Sequence, residues 1–430
     1  MNDRRQFARY VSQQIFGMLG LSCYILADTF FISAGMGAGG LASLNLAISV
    51  YSVINGAGLM AGIGGATRYA VFRAQGDARR ANRAFTDALR LGMLTAALFA
   101  ALGLFGTGPL CRALGTDAQT HAMTRVYLRT ILLFAPCFIL NNLLLAFVRN
   151  DGAPRLAMAA MLAGSFSNIL LDYLFLFPLR LGMFGAAFAT GLAPIVSMAV
   201  LSPHFARGGC GFRPVACGLS ARRMAGVAVP GLAALVMEVS TGLLLMVSNR
   251  VILALSGTVG VAAYGVVANL ALVATALFSG LAQGIQPLVS ERCGLGDRAG
   301  MRGVLRRALR VALLLAAGLY AMVFLLAEPV TAAFNGEGNE ALRALAVPGL
   351  RIYFSGFLFA GVNIVLAAFF SAGGREREGF ALSLLRGCAA PLPAVAALGA
   401  WLGMTGVWLA FPCAELAALF LALRMARRAG

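Results

Sequence analysis

The chain alternates apolar runs of about 20 residues with short connections rich in arginine, and that alternation leaves it few ways to fold. An apolar run of this length matches the thickness of a bilayer core when it is coiled into a helix. In lipid every backbone N–H and C=O must be bonded internally, so only helix bundles and closed barrels can span. Barrel strands are shorter and alternate in polarity; these runs do neither. The runs cover 11–34, 43–70, 88–110, 123–148, 156–178, 181–204, 225–250, 261–290, 308–330, 343–371, 378–400 and 402–424. The expected fold is therefore an all-α membrane protein of twelve transmembrane helices. The charge content agrees: 12% of the residues are charged, against roughly 25% in soluble domains. The first run carries Asp28 and no clear small-residue cleavage site, so it reads as a retained helix rather than a signal peptide.

A net charge of +18 would suggest nucleic acid in a soluble protein. Here no nucleic-acid partner is expected, because the 34 basic residues, all arginine, sit mostly in the connections. They concentrate at the N-terminus, 68–90, 149–155, 205–223, 292–310, 375–377 and the C-terminus. By the positive-inside rule these segments and both termini are cytoplasmic. The acidic loop from Asn335 to Glu340 then falls outside. The eight cysteines are scattered; Cys210 and Cys217 have no CxxC partner or histidine cluster nearby, which argues against a metal site or a disulfide framework.

The chain also repeats itself. Gly64, Gly76 and Asp77 recur 220 residues later as Gly284, Gly296 and Asp297. Leu181-Gly182-Met183 recurs 221 residues later as Leu402-Gly403-Met404, and Ala146-Phe147 with Gly152 recurs at 222 as Ala368-Phe369 with Gly374. Three separated blocks on nearly one offset indicate two homologous halves. With six spans each, both halves enter the membrane in the same direction, so the repeat is parallel. The expected domains are a first lobe at 1–204, a cytoplasmic linker at 205–223 containing Gly208-Gly209, and a second lobe at 224–430. Transporters of this construction bind substrate between the lobes.

Ionisable groups at bilayer depth cost several kcal/mol and mark function by default. Asp28, Asp172, Glu238, Glu328 and Glu415 fall in the apolar runs. Glu328, beside Pro329 at a helix end, reads as interfacial. Asp28 and Asp172 stand at similar height, about 25 Å from the arginine-rich side. Asn168, four residues before Asp172, shares its helix face, and Thr190 reaches the same level from the next helix. Two carboxylates, an amide and a hydroxyl in one layer suit a small hard cation, Na+, or a proton shared between crowded acids. Asn168 and Thr190 also fit ordinary interhelical bonding. The repeat sharpens the contrast, because Asp28 maps to Ser248 and Asp172 to Ala394. Glu238 is expected near mid-membrane in the second half, attracting a cationic substrate or binding the coupling ion, or else as a neutral acid bonded to a carbonyl. Glu415 is expected to be satisfied by groups freed at Pro412. Tyr24, Gln283 and Gln286 are candidates for lining a central cavity. No arginine is expected at mid-membrane.

Several of these segments resemble the multidrug and toxic compound extrusion (MATE) family: Tyr24-Ile25-Leu26-Ala27-Asp28-Thr29, Val148 to Pro154, Asn168 to Asp172, Gly185-Ala186-Ala187 with Ala189-Thr190, and Gly284 to Ser290. The resemblance runs from about residue 8 to 425, with the blocks in family order. It implies a two-lobed antiporter of the bacterial plasma membrane that exports small organic, commonly cationic, compounds against protons or sodium ions. It implies no cofactor beyond the coupling ion, and a monomer in the lipid bilayer. It assigns Asp28, Asn168, Asp172 and Thr190 to the cation site of the first lobe and Glu238 to the second lobe. Relatives often carry a proline in the first helix where this chain has Gln13, which puts a bend of that helix in doubt. After the Gly284 motif the chain reads Glu291-Arg292-Cys293-Gly294, where relatives usually have a Tyr- and Asn-containing stretch.

The alternative within the same superfamily is a flippase for lipids or lipid-linked oligosaccharides, which would want a cationic cavity. An enzyme is not expected, since there is no HExxH, GxSxG or paired histidine–acid motif.

Overall fold

The computed structural model describes residues 3–116, 120–206, 210–334 and 339–427. Asn335 to Gly338 of the acidic loop and Gly208-Gly209 of the linker lie outside the described residues. Six helices build the first lobe: α1 (Asp3–Gly37), α2 (Gly39–Ala74), α3 (Ala78–Ala113), α4 (His121–Leu133 and Ala135–Asn150, bent by 47°), α5 (Pro154–Leu176) and α6 (Gly182–Ala206). In the second lobe α7 and α8 share the stretch Ala221–Gly294, divided at Gly257. Then come α9 (Arg298–Phe334) and α10 (Glu340–Ala372), and α11 and α12 share Glu376–Ala426, divided at Gly403. Dividing at these two glycines gives the twelve spans and two six-helix lobes that the apolar runs call for.

The internal repeat is written into the backbone as well as the sequence. Gly37 (φ 65°, ψ −158°) and Gly257 (φ 61°, ψ −155°) each turn the chain between the first two helices of a lobe. That conformation is essentially restricted to glycine. The same correspondence holds for Gly182 with Gly403, Gly152 with Gly374 and Gly76 with Gly296, all at positive φ. Helix starts repeat too. Asp77 Oδ1 accepts the Arg80 N–H at 2.8 Å, and Asp297 Oδ1 accepts the Gly300 N–H at 2.8 Å. The Gly300 N–H, and then Arg292, hold the Asp297 carboxyl below the usual carboxylate range.

Each lobe has its own apolar packing, and the cluster of the second lobe reaches across to Phe7, Tyr10 and Val11 of α1. Helix association in lipid depends on close backbone approach through small residues. Here a Cβ on Gly64 of α2 would stand 2.0 Å from the Val227 carbonyl oxygen, and one on Gly231 of α7 would stand 2.1 Å from that of Met60. These contacts fall toward the end of the bundle that carries the chain termini. Polar contacts between the lobes gather there as well. Gln14 Nε2 donates to Gln283 Oε1 (3.1 Å), Gln286 Nε2 to Thr67 Oγ1 (2.9 Å), and Arg68 pairs with Glu376 (3.2 Å). α1 runs without a helix break from Asp3 to Met36, so Gln13 stands in an unbroken helix where relatives often bend.

The extended segment 210–220 is fastened to the first lobe rather than hanging between lobes. Phe212 is buried among Tyr69, Phe85 and Phe147, Arg213 N–H donates to Asn82 Oδ1 (2.9 Å), and Val215 N–H donates to Thr86 Oγ1 (3.0 Å). Removing a buried Phe ring typically costs about 3–5 kcal/mol. Phe212→Ala is expected to free this segment, seen as new proteinase K cleavage within 210–220 while the helices stay protected.

Candidate functional site

Four polar residues from three helices of the first lobe meet behind its inner surface. Asp28 on α1 and Asp172 on α5 are 7% and 0% exposed, and their carboxyls lie within hydrogen-bonding reach of each other. Asn168 sits one turn before Asp172. With its amide turned to satisfy both ends, its nitrogen donates to Asp172 Oδ2 at 3.1 Å and its oxygen accepts the Thr190 N–H at 3.2 Å. Thr190 is buried, with its hydroxyl donating to Ala186 O at 3.0 Å. One oxygen of each acid, Asp28 Oδ1 and Asp172 Oδ1, has no partner although both are buried. Unpaired buried carboxylate oxygens are costly, and two carboxylates in contact repel unless a proton or cation lies between them. The donor set therefore fits a small hard cation or a shared proton.

Tyrosines close the pocket around the acids. The Tyr24 and Tyr51 hydroxyls lie 3.1 Å apart, and the buried Tyr127 lies within electrostatic range of both carboxyls, with its hydroxyl near Thr190. Tyr51 and Tyr127 are functional candidates that sequence reading passed over. The available signal was a hydroxyl inside an apolar run, which a tyrosine facing lipid headgroups gives equally well.

Between the lobes lies a cavity of about 140 Å³. Tyr24, Thr190, Glu238 and Gln283 line it, joined by Asn55, Asn141, Asn142 and Arg149. Neither Asp28 nor Asp172 lines it; they stand one layer behind Tyr24 and Thr190. Glu238 is half-buried on α7 beside the Asn55 side chain, and so supplies the acid on the cavity wall itself. Arg149 is 2% exposed at the floor, donating to Gln283 Oε1 at 3.1 Å, with its Nε unpartnered.

Three expectations need correction. Gln286 does not line the cavity. It is buried in the contact between lobes, accepting from Asn150 Nδ2 (2.9 Å) and donating to Thr67 Oγ1 (2.9 Å). Its position around the helix axis turns it toward Thr67 of α2 and Asn150 of α4. Secondly, an arginine does stand at mid-membrane: Arg386 on α11 pairs with Glu415 on α12 at 2.7 Å, both buried. Thirdly, Glu415 is held by that ion pair and by Asn363 Nδ2 (2.7 Å), rather than by groups freed at Pro412. The apolar run around Arg386 hid it, because a single arginine barely lowers the average hydropathy of a long window.

A separate cluster lies at the arginine-rich end, where Asp151, His204 and Cys210 bring ligand-type atoms within 4.8 Å of one another. Asp151 Oδ1 accepts from Tyr69 (2.7 Å) and Arg73, and Oδ2 faces His204 Nε2 (2.9 Å) and accepts the Gly211 N–H (2.8 Å). Cys210 Sγ donates to Phe212 O at 3.1 Å. Both carboxylate oxygens are taken, so the cluster ties the segment after α6 to the first lobe.

Comparison with known proteins now adds to this geometry. The MatE family profile matches residues 14–174 and 233–390, one block in each lobe. The multidrug export protein MepA of Staphylococcus saprophyticus subsp. saprophyticus is 23% identical over 399 residues, covering 91% of this chain and 85% of that protein. Among solved structures, a MATE protein in complex with MaL6 superposes with a TM-score of 0.93 at 21% identity, covering 100% of this chain and 96% of the other. The outward-facing conformation of a multidrug resistance MATE family transporter of the MOP superfamily gives 0.92 at 20% identity, with the same coverage. With the profile matching both halves and the fold shared throughout, the chain belongs to the MatE family of multidrug efflux transporters.

Proposed function

We propose that the protein is a secondary antiporter of a bacterial plasma membrane, with both termini cytoplasmic, that exports small organic cations in exchange for an inward-moving proton or sodium ion. The observation that carries this reading is the meeting of Asp28 and Asp172, each with a buried unpartnered oxygen, one layer behind the wall of a cavity between two lobes. Asn168 adapts to either state, presenting its nitrogen to a bare carboxylate or its oxygen to a cation between the acids. The direct contact of the two carboxyls favours the proton, since only a proton fits within a hydrogen bond. The contacts gathered at the end with the termini correspond to a state whose cytoplasmic door is shut.

Direct competition of drug and ion for one carboxylate fits this geometry poorly, because the acids do not touch the cavity. Instead α1 connects the parts. Asp28 and Tyr24 lie one turn apart on it, and Gln14 and Val11 below them pack on α8. Discharging Asp28 shifts α1 relative to α5, and an unbroken helix carries that shift to Tyr24 in the cavity and to the contact between lobes. The ion then biases the rocking equilibrium through its different affinity for the two states. Glu238 is the group that attracts the cationic substrate.

The test is transport in proteoliposomes with pH and sodium gradients imposed separately, using a fluorescent monocation such as ethidium. Export driven by one gradient and absent without either supports antiport; equal export with no gradient overturns it. Glu238→Gln is expected to weaken binding of the monocation about tenfold, the loss of roughly one partly desolvated charge interaction. Binding of an uncharged analogue is expected to change little.

A further inference from the structure

The two lobes treat their intramembrane charge in opposite ways, and the repeat shows how. Asn141, Gly164 and Pro194 of the first lobe line the cavity. At offsets of 222, 222 and 221 residues their counterparts are Asn363, Arg386 and Glu415. Glu415 joins the other two. Arg386 Nη2 donates to Glu415 Oε1 at 2.7 Å, and Asn363 Nδ2 donates to Glu415 Oε2 at 2.7 Å. All three are buried, and Arg386 stands in a π-helical turn, Leu385–Ala389, that turns its side chain toward α12. Thus where the first lobe has a glycine, a proline and open space, the second has a guanidinium and a carboxylate filling the equivalent volume. The polarity is reversed at the acid positions as well, since Asp28 and Asp172 correspond to Ser248 and Ala394.

We infer that Arg386 is the resident cation of the second lobe, a guanidinium fixed on the Glu415 carboxylate, which Asn363 orients. Glu415 is thereby neutralised by its partner and exchanges no ion during the cycle. Resting on the antiport reading above, this removes Glu415 from the acids that can couple and leaves that role to Asp28 and Asp172, with Glu238 facing the substrate. Arg386 thus acts as a positioning residue that fills a latent second cavity. Emptying it is expected to uncover a site for a small planar organic cation.

The test uses the purified full chain and free guanidinium as the probe. Arg386→Ala leaves Glu415 buried and unpaired, which is strongly destabilising, with a melting temperature lower by roughly 5–10 °C. Guanidinium chloride at low millimolar concentration is expected to restore part of that loss, while choline chloride at equal concentration restores none. Arg386→Ala combined with Glu415→Gln is expected not to respond. No rescue of the single variant, or equal rescue of the double, overturns the assignment. These readings need no transport, so they stand apart from the fate of the antiport reading. Should Arg386→Ala not accumulate, the neutral pair Arg386→Met with Glu415→Gln carries the test. It is expected to keep the wild-type ion-to-substrate ratio, and a changed ratio means the pair exchanges ions and the inference fails.

Discussion

Asp172→Asn and Asp28→Asn will each reduce gradient-driven export to the level of protein-free liposomes while the protein remains folded. The reason is thermodynamic. An ion can drive the lobes only by its differential affinity for their two arrangements; a ligand bound equally in both shifts nothing. Removing either carboxyl removes one of the two oxygens left unpartnered in the pocket, and with it the group that takes up or releases charge. Folding should survive because asparagine has the same shape and its neutral amide is cheaper to bury than a carboxylate. Melting temperature should therefore hold or rise. The discriminating measurement is binding of the monocation by each variant in the absence of a gradient. Since the acids lie behind Tyr24 and Thr190 rather than on the cavity wall, binding should persist when driven transport is lost. Loss of binding with loss of transport would instead put the acids in direct contact with substrate. Normal driven export by both variants would remove the coupling assignment.

The second large effect comes from a wedge. Gly231→Val is expected to abolish transport by holding the lobes apart at the end that carries the termini. A Cβ there meets Met60 backbone oxygen at 2.1 Å and carbonyl carbon at 2.7 Å, and a backbone cannot rotate away as a side chain does. The lobes are left to separate, because each has its own packed interior. Gly64→Val, on the facing helix, should behave alike, since its Cβ would meet Val227 oxygen at 2.0 Å. Gly265→Ala, with nothing within 4 Å of the new atom, is the neutral control. On a cysteine-free background, a cysteine at the cavity residue Ser279 reports the state. In the wedge variants it should react with impermeant maleimide from the side of the termini, and in the parent it should not. Continued protection in Gly231→Val would mean the contact relaxes within the helices and does not act as a door.

Depth along a helix was readable from the chain alone. The bilayer fixes where a helix begins and each residue adds a fixed rise, so Asp28, Asp172, Asn168 and Thr190 could be placed in one layer before any coordinates. The parallel repeat was readable for the same kind of reason: a positive-φ turn favours glycine, so Gly76 and Gly296, or Gly182 and Gly403, recur together. Rotation about the helix axis was not readable in the same way. Gln283 and Gln286 differ by less than one turn, yet Gln283 borders the cavity as well as the contact between lobes, while Gln286 is buried in that contact and does not reach the cavity. In a helix apolar on nearly every face, no hydrophobic stripe marks the inside.

The chain of amino acids decided the solvent, the number of the helices, the doubling of the fold and the height of its acids, because hydropathy, glycine and residue spacing act locally. Docking of the helices decided which charges meet. Only then did Asp28 find Asp172 from another helix, with no base beside them, while Glu415 found Arg386 and was neutralised. The physical reason is that pairing in lipid depends on which faces touch, and a face is settled by the packing of neighbours whose positions lie far away along the chain.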